Sequence, residues 1–123
     1  MVQCLRSVFE QTPNLSLEAI VVDNGSSDDS CHKVREEFPT VKLIANERNE
    51  GIAKADNQGI RESSGRHILL LNPDTIVLDR SIEFMVTFMD EHPHIGACGC
   101  KLFYPDGRYQ RSAWPLPTIL SGF

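Results

Sequence analysis

Three short polar segments carry the side chains of this 123-residue chain best suited to chemistry. They are Asp23-Asn24-Gly25-Ser26-Ser27-Asp28, the loop Asn46 to Gly51 with Arg48 and Asn49, and Asn72-Pro73-Asp74. Each follows a short apolar run: Glu18 to Val22, Val41 to Ala45 and His67 to Leu71. In an open parallel sheet, ligands bind beyond the carboxyl ends of the strands. If the three runs are strands of one sheet, the three polar segments converge on one edge. Each also has a plainer reading: Asp-Asn-Gly-Ser-Ser is good turn and cap chemistry, and the other two can be ordinary loops. Their coincidence at equivalent strand ends favours a site.

The chemistry that fits such a site is the handling of a nucleotide diphosphate. Its charge calls for a divalent cation, and a carboxylate must hold that cation. Asp74, at the end of a rigid strand, suits this role. Asp23 is placed to accept hydrogen bonds from a pyrimidine N–H or a ribose hydroxyl. Arg48 or Lys54 can meet phosphate oxygens, Arg with the better bidentate geometry. Neither GxxxxGK[ST] nor GxGxxG occurs, so the common nucleotide fingerprints are absent.

The elements that must position these residues follow from periodicity. Val2, Leu5, Val8 and Phe9 recur at helical spacing, which predicts an opening helix ending near Thr12-Pro13-Asn14. A strand over Glu18 to Val22 follows, then a helix capped by Ser26 or Ser27, with Cys31, Val34 and Phe38 inward and Pro39 as its stop. Val41 to Ala45 reads as a second strand, and Ile52 to about Ser63 as a helix with Gly65 near its C-cap. His67 to Leu71, the most apolar run, reads as a central strand because it does not alternate. A helix near Ser81 carries Ile82, Met85, Val86 and Met89 as a core stripe, with Phe84 and Phe88 also read as core. Ile95 to Phe103 reads as a strand, Asp106-Gly107 as a hairpin turn, and Arg108 to Ser112 as the return strand. Alternating strands and helices imply one α/β domain over residues 1–123 with a mostly parallel sheet.

Composition sets outer limits. Hydrophobic residues make up 41% and charged residues 24%, ordinary for a globular domain. A net charge of -5 speaks against nucleic acid as a partner. The four cysteines form no CxxC pair, and Cys98-Gly99-Cys100 is too short for usual zinc spacing, so buried or idle thiols in a reducing compartment are expected. The four histidines form no ligand pair at helical spacing. No apolar stretch nears the roughly 20 residues of a membrane span. A cytoplasmic location follows by default, with peripheral association at the inner membrane face left open.

Against this background, Ile20-Val21-Val22-Asp23-Asn24-Gly25-Ser26-Ser27-Asp28 resembles the hallmark of family 2 glycosyltransferases of the rhamnosyltransferase-like kind. Asn46-x-x-Asn49-x-Gly51-x-Ala53 and Asn57-x-Gly59-Ile60 resemble the family's next segment. Leu69-Leu70-Leu71-Asn72-Pro73-Asp74-Thr75 is similar to its modified DxD motif, and Asp106-Gly107 with Gln110 and Ser112 to a later signature. The resemblance spans about Leu5 to Thr118. It implies a GT-A-like, Rossmann-like fold, a nucleoside-diphosphate sugar donor, Mg²⁺ or Mn²⁺, and inverting transfer to a glycan or lipid-linked acceptor. On this resemblance Asp23 contacts the base, and Asp74 holds the metal and donor diphosphate. Asn49, Gly51 and Asn57 shape the pocket near phosphates and ribose, while Asn24 and Asn72 count among the donor-binding residues.

Two departures accompany the resemblance. The family's opening strand, with its Thr-Tyr-Asn or Pro-x-Tyr-Asn turn, has no counterpart ahead of Leu5. Its general base lies in an acidic motif expected beyond Phe123, and Asp106 suits a hairpin turn better than that role. The sequence therefore reads as a partial domain with no assignable catalytic base. The alternative is a non-catalytic remnant: a folded binding or structural module, self-associating through an exposed sheet edge. Trp114 is a candidate cover for donor or acceptor, or a packing residue.

Overall fold

The computed structural model describes residues 1–113; Trp114 and the end of the resembling stretch near Thr118 lie outside the described residues. The elements run α1 (Val2–Gln11), β1 (Ile20–Asp23), α2 (Ser30–Glu37), β2 (Lys42–Ala45), α3 (Ile52–Glu62), α4 (Ser81–Glu91), β3 (Leu102–Phe103) and β4 (Tyr109–Gln110). Helices and a small parallel sheet give the chain α/β character, as its pattern implied.

α1 buries Cys4, Leu5, Ser7 and Val8, a stripe with the i, i+3, i+4 spacing of an amphipathic helix. It ends where the Thr12 hydroxyl donates back to the Val8 carbonyl at 2.7 Å, just before Pro13. β1 and β2 pair in parallel, with Ile20 opposite Lys42 and Asp23 opposite Ala45. β-branched residues at Ile20, Val21, Val22 and Ile44 suit this pleated surface. α2 places Val34 at full burial, and Phe38 beyond its end stacks on Phe9 of α1 with centroids 5.8 Å apart. α3 packs on β1 through buried Ala55 and through Gly59. A Cβ built on Gly59 would sit 3.5 Å from the Val22 Cγ2, so helix and strand are already close there.

Several elements differ from the sequence reading. The Ile68–Leu71 run belongs to neither sheet, and its four side chains are 39–59% exposed. Its composition is that of a strand, but a strand is defined by a neighbouring edge, and composition cannot supply one. Only β1 and β2 form a parallel ladder among the described residues, where a larger parallel sheet was expected. The strand expected over Ile95 to Phe103 shrinks to Leu102–Phe103, and the return strand to Tyr109–Gln110. The turn between them is as expected: Gly107 has φ +84°, its N–H donates to the Tyr104 carbonyl at 2.8 Å, and the Asp106 carboxylate accepts from Arg108.

α2 begins at Ser30 rather than at Ser26 or Ser27, because Asp28 accepts the Ser30 N–H at 3.0 Å while Asp23 takes that of Ser26. Gly65 is no C-cap: α3 closes at Ser63, and the Gly65 N–H donates to Glu18 at 2.9 Å. α4 buries none of its residues fully. Ile82, Met85, Val86 and Met89 are half-buried, whereas Phe84 is 71% and Phe88 42% exposed.

Polar clips hold what the sheet does not. Glu18, just ahead of β1, accepts from the Ser64 N–H and hydroxyl and from the Gly65 N–H, which draw its carboxyl below the usual range. Arg66 grips Asp90 of α4 through both guanidinium nitrogens, and His67 Nε2 lies 2.8 Å from the same carboxylate. The Arg66 hydrogen bonds, then His67, hold the Asp90 carboxyl down at about 2.

A folded pKa depressed below the ordinary 3.8 means that Asp90's contribution is present above that value and lost as pH falls through about 2. Urea midpoints of the wild type and Asp90→Asn should therefore differ by a constant gap from pH 7 to about 4. The gap should close toward pH 2. A gap that persists undiminished at pH 2 would show that the carboxylate is not what joins Arg66 to α4.

Candidate functional site

The end of β1 and the end of β2 are held side by side by their parallel register, which the Asn46 N–H extends by donating to the Asp23 carbonyl at 2.9 Å. The loops that follow must then lie together. Gly25, at φ +83°, takes the left-handed turn that lets them touch. A Cβ there would lie 2.8 Å from the Arg48 carbonyl carbon and 2.9 Å from its Cα, both backbone. Only glycine permits this approach.

Asp23 is 7% exposed at the floor of this junction. Its Oδ2 accepts the Ser26 N–H at 3.1 Å. Burial pushes its carboxyl up, but hydrogen bonds from the Ser26 hydroxyl and N–H, the Cys31 thiol and the Gly25 N–H outweigh it, and the net direction is down. The Asp23 side chain is thus an anion at neutral pH. The Cys31 thiol is pushed up by burial first and by this carboxylate second.

Around Asp23 lies a set of side-chain amides. Asn24 Nδ2 donates to Asn49 Oδ1 at 2.9 Å, and Asn24 Oδ1 accepts the Glu50 N–H at 2.9 Å and Asn46 Nδ2 at 3.3 Å. Asn46 and Gln58 exchange two hydrogen bonds, of 2.8 and 3.0 Å. Gly51, at φ +84°, donates its N–H to Asn49 Oδ1 at 2.9 Å and leads into α3. Arg48 and Lys54, the two cations of this region expected to meet phosphate, both pair with Glu50.

The Asn72-Pro73-Asp74 turn is positioned differently, from α1. The Cys4 thiol lies 3.6 Å from the Asn72 carbonyl and 3.7 Å from the Thr75 hydroxyl, and that hydroxyl donates to the same carbonyl at 2.7 Å. Further along, Ser7 Oγ accepts the Val77 N–H at 2.9 Å and Gln11 Oε1 accepts the Arg80 N–H at 3.0 Å. The polar residues on the inner face of α1 therefore fasten residues 72–80. Asp74 itself is exposed, and among the described residues its carboxylate accepts no hydrogen bond.

Of the residues singled out in the sequence, the structure brings Asp23, Asn24, Asn49 and Gly51 together. Asn57 is exposed on α3, beside Gln58. No hydrogen bond among the described residues joins Asn72 or Asp74 to that cluster. Sequence reasoning missed Gln58, Cys4, Ser7 and Gln11. The signal for Gln58 was its place one residue after Asn57, on the helix that must face the first strand. For α1 it was three polar or weakly polar residues within an otherwise apolar stripe.

The sequence profile of glycosyl transferase family 2 matches residues 1–117, and the chain belongs to this family. It is 28% identical over 113 residues to the minor teichoic acid biosynthesis protein GgaB of Bacillus subtilis (strain 168), covering 88% of this chain and 13% of that protein. It is 31% identical over 94 residues to the glycosyltransferase GlyG of Streptococcus pneumoniae serotype 4, covering 74% and 31%. To an N-acetylglucosaminyltransferase of Bradyrhizobium elkanii it is 33% identical over 99 residues, covering 77% and 54%. The chain thus spans from about an eighth to about half the length of these relatives.

The Gly25 junction can be tested against a glycine of the same φ in open space. Gly107 has φ +84° and nothing within 4 Å of where a Cβ would stand, so Gly107→Ala should cost only about 1–2 kcal/mol, for the left-handed conformation. Gly25→Ala should cost roughly 1–3 kcal/mol more, because backbone must move to admit the methyl group. Equal losses in denaturant unfolding would show that the two loops do not press together at Gly25.

Proposed function

We propose that the chain is the donor-handling unit of an inverting glycosyltransferase, binding a nucleoside-diphosphate sugar together with Mg²⁺ or Mn²⁺. The observation that carries this reading is the convergence of Asp23, Asn24, Asn49 and Gly51 at the adjoining ends of two parallel strands, in a chain of this family. Sheet geometry makes that edge the natural ligand position. Asp23, anionic and oriented by Ser26, accepts from the N–H of the base or a ribose hydroxyl. Asn49, Gly51 and Asn57, with Asn24 behind them, border the ribose and phosphates, and Asn72 and Asp74 meet the diphosphate.

The residues fit a cation shared with the donor. Asp74 is an exposed carboxylate without a protein partner among the described residues, and no group of three or more His, Cys, Asp or Glu there could hold a metal by itself. A hard cation bound through one carboxylate and substrate phosphates needs no more than this. When bound, it would neutralise charge on the departing diphosphate. The acceptor, a glycan or a lipid-linked glycan, and the base that deprotonates it are contributions of the whole transferase. No helix among the described residues is long and apolar enough to cross a membrane. The proposed setting is the cytoplasm, peripherally at the inner membrane face.

A second reading draws on the exposed Ile68–Leu71 run and the open edges of the two-stranded parallel sheet. Unpaired strand edges and exposed apolar side chains both invite a second chain. On this reading the chain is a non-catalytic, self-associating module. Sedimentation velocity over a hundred-fold range of concentration should then show reversible association that Leu70→Lys weakens; a monomer throughout would dismiss it.

The donor reading is tested by thermal shift with UDP-, GDP- and dTDP-sugars at millimolar concentration, with and without Mn²⁺. At least one should raise Tm in a metal-dependent way, because a ligand at 100 times its Kd stabilises by about 2.7 kcal/mol. Asp74→Asn should remove the metal-dependent part. No shift from any donor would count against the reading, and an unaltered metal response in Asp74→Asn would remove Asp74 from its role.

A further inference from the structure

We infer that Asn46 and Gln58 are positioning residues of the nucleotide-sugar site, bracing from behind the amide set that holds the two strand-end loops in register. This rests on the donor-binding reading above. The direction of every hydrogen bond in the set is fixed from two backbone groups. A backbone N–H can only donate, so Glu50 N–H requires Asn24 to turn Oδ1 toward it, and Gly51 N–H requires the same of Asn49 Oδ1. Asn24 must then present Nδ2 to Asn49, as it does at 2.9 Å.

Because Asn24 Oδ1 faces the junction, Asn46 must offer it Nδ2, at 3.3 Å. This leaves Asn46 Oδ1 pointing to α3, where it needs a donor, and Gln58 Nε2 supplies one at 3.0 Å. Gln58 Oε1 accepts the other Asn46 proton at 2.8 Å, which closes the pair. The chain of amides runs from α3 through the end of β2 to the end of β1 and back to the loop that starts α3. Asn46 and Gln58 are half-buried, whereas Asn49, at the far end, is exposed.

The consequence for binding is specific. Asn24 and Asn49 commit their carbonyl oxygens to the protein, so what they turn to a ligand is amide N–H. Asn49 Nδ2 donates to nothing among the described residues. A donor-rich wall beside the Asp23 carboxylate suits phosphate or sugar oxygens on one side and an N–H or O–H on the other. Gln58 and Asn46 touch no ligand on this account; they brace Asn24, whose orientation the backbone sets, and so keep the amides that the ligand meets in place.

Two measurements on the whole chain test this. Hydrogen exchange, without any ligand, should show the Glu50 and Gly51 N–H groups exchanging about ten-fold faster in Gln58→Ala, as expected for losing a hydrogen bond of ordinary net strength. The shape-matched Gln58→Met should do the same. Asp90→Asn, which breaks the Arg66 clip and removes no hydrogen bond of this set, should leave those two amides in step with their neighbours. Calorimetric titration with UDP, GDP and dTDP, each with MnCl2, should show Kd about ten-fold weaker in both Gln58 variants, and unchanged in Asp90→Asn even where Tm falls as far.

Unaltered exchange at Glu50 and Gly51 in Gln58→Met would overturn the inference whatever the titrations show. Faster exchange with an unaltered Kd would reduce the pair to loop packing and overturn its positioning role. If the wild type binds none of the three nucleotides, the donor reading fails and the positioning role fails with it.

Discussion

The parallel register that sets Asp23 opposite Ala45 governs the rest of the molecule's functional geometry. Once those two residues are neighbours, the next residue of β2, Asn46, has its N–H on the Asp23 carbonyl and its side chain beside Asn24. A register slipped by one residue would turn every side chain of the strand to the other face. Asn46 would lose Asn24 and Gln58 together, and Gly25 would no longer meet the Arg48 backbone. The apolar faces of β1 and β2 hold that register: α3 covers one strand through Ala55 and Gly59, and α2 packs on the other.

Two different physical devices position the two halves of the candidate site. The Asp23–Gly51 cluster is held by side-chain amides and two glycines of positive φ, all within the sheet and its loops. The Asp74 turn is held by α1, through a thiol, a hydroxyl and an amide that accept or donate to backbone. A buried N–H left without a partner costs about 1–3 kcal/mol, so Ser7 beneath Val77 is more than incidental polarity. This explains why the inner stripe of α1 carries Ser7 among Cys4, Leu5 and Val8. The helix serves as a mould for a loop as well as a cover for the core.

What was legible in the sequence was whatever depends on local pattern. The helical stripes of α1 and α2, the span of α3, the β-branched runs of β1 and β2, and the Asp106-Gly107 turn each announce themselves within a few residues. What was not legible depends on a distant partner. Ile68–Leu71 has the composition of a buried strand, yet pairing is a property of two segments, and Ile68–Leu71 pairs with neither sheet. Ser26 and Ser27 looked like caps, but Asp23 reaches forward and uses the turn for itself, which delays the helix to Ser30. Phe84 looked like core because hydrophobicity alone cannot say which face of α4 meets the fold. Asp23, Asn24, Asn49 and Gly51 were legible as loops meeting at one sheet edge; their joining through Asn46 and Gln58 depends on side chains from three separate elements.

The charge around the junction adds a last constraint on what it can bind unaided. Arg48 and Lys54 both lean on Glu50, so the two cations share one carboxylate before any ligand arrives, and the chain as a whole carries -5. Asp23 beside them is anionic. A diphosphate approaching this edge would meet amide N–H groups but little uncommitted positive charge, and Coulomb repulsion from Asp23 would oppose it over the roughly 8–10 Å Debye length of physiological salt. Under the donor-binding reading, a divalent cation on Asp74 is then the element that reverses the sign of the interaction. On that reading the bound metal turns the exposed Asp74 carboxylate from repulsive to attractive for a diphosphate. Metal and donor are therefore expected to bind as one unit, each weakly without the other, and the amide wall to select orientation more than to supply affinity.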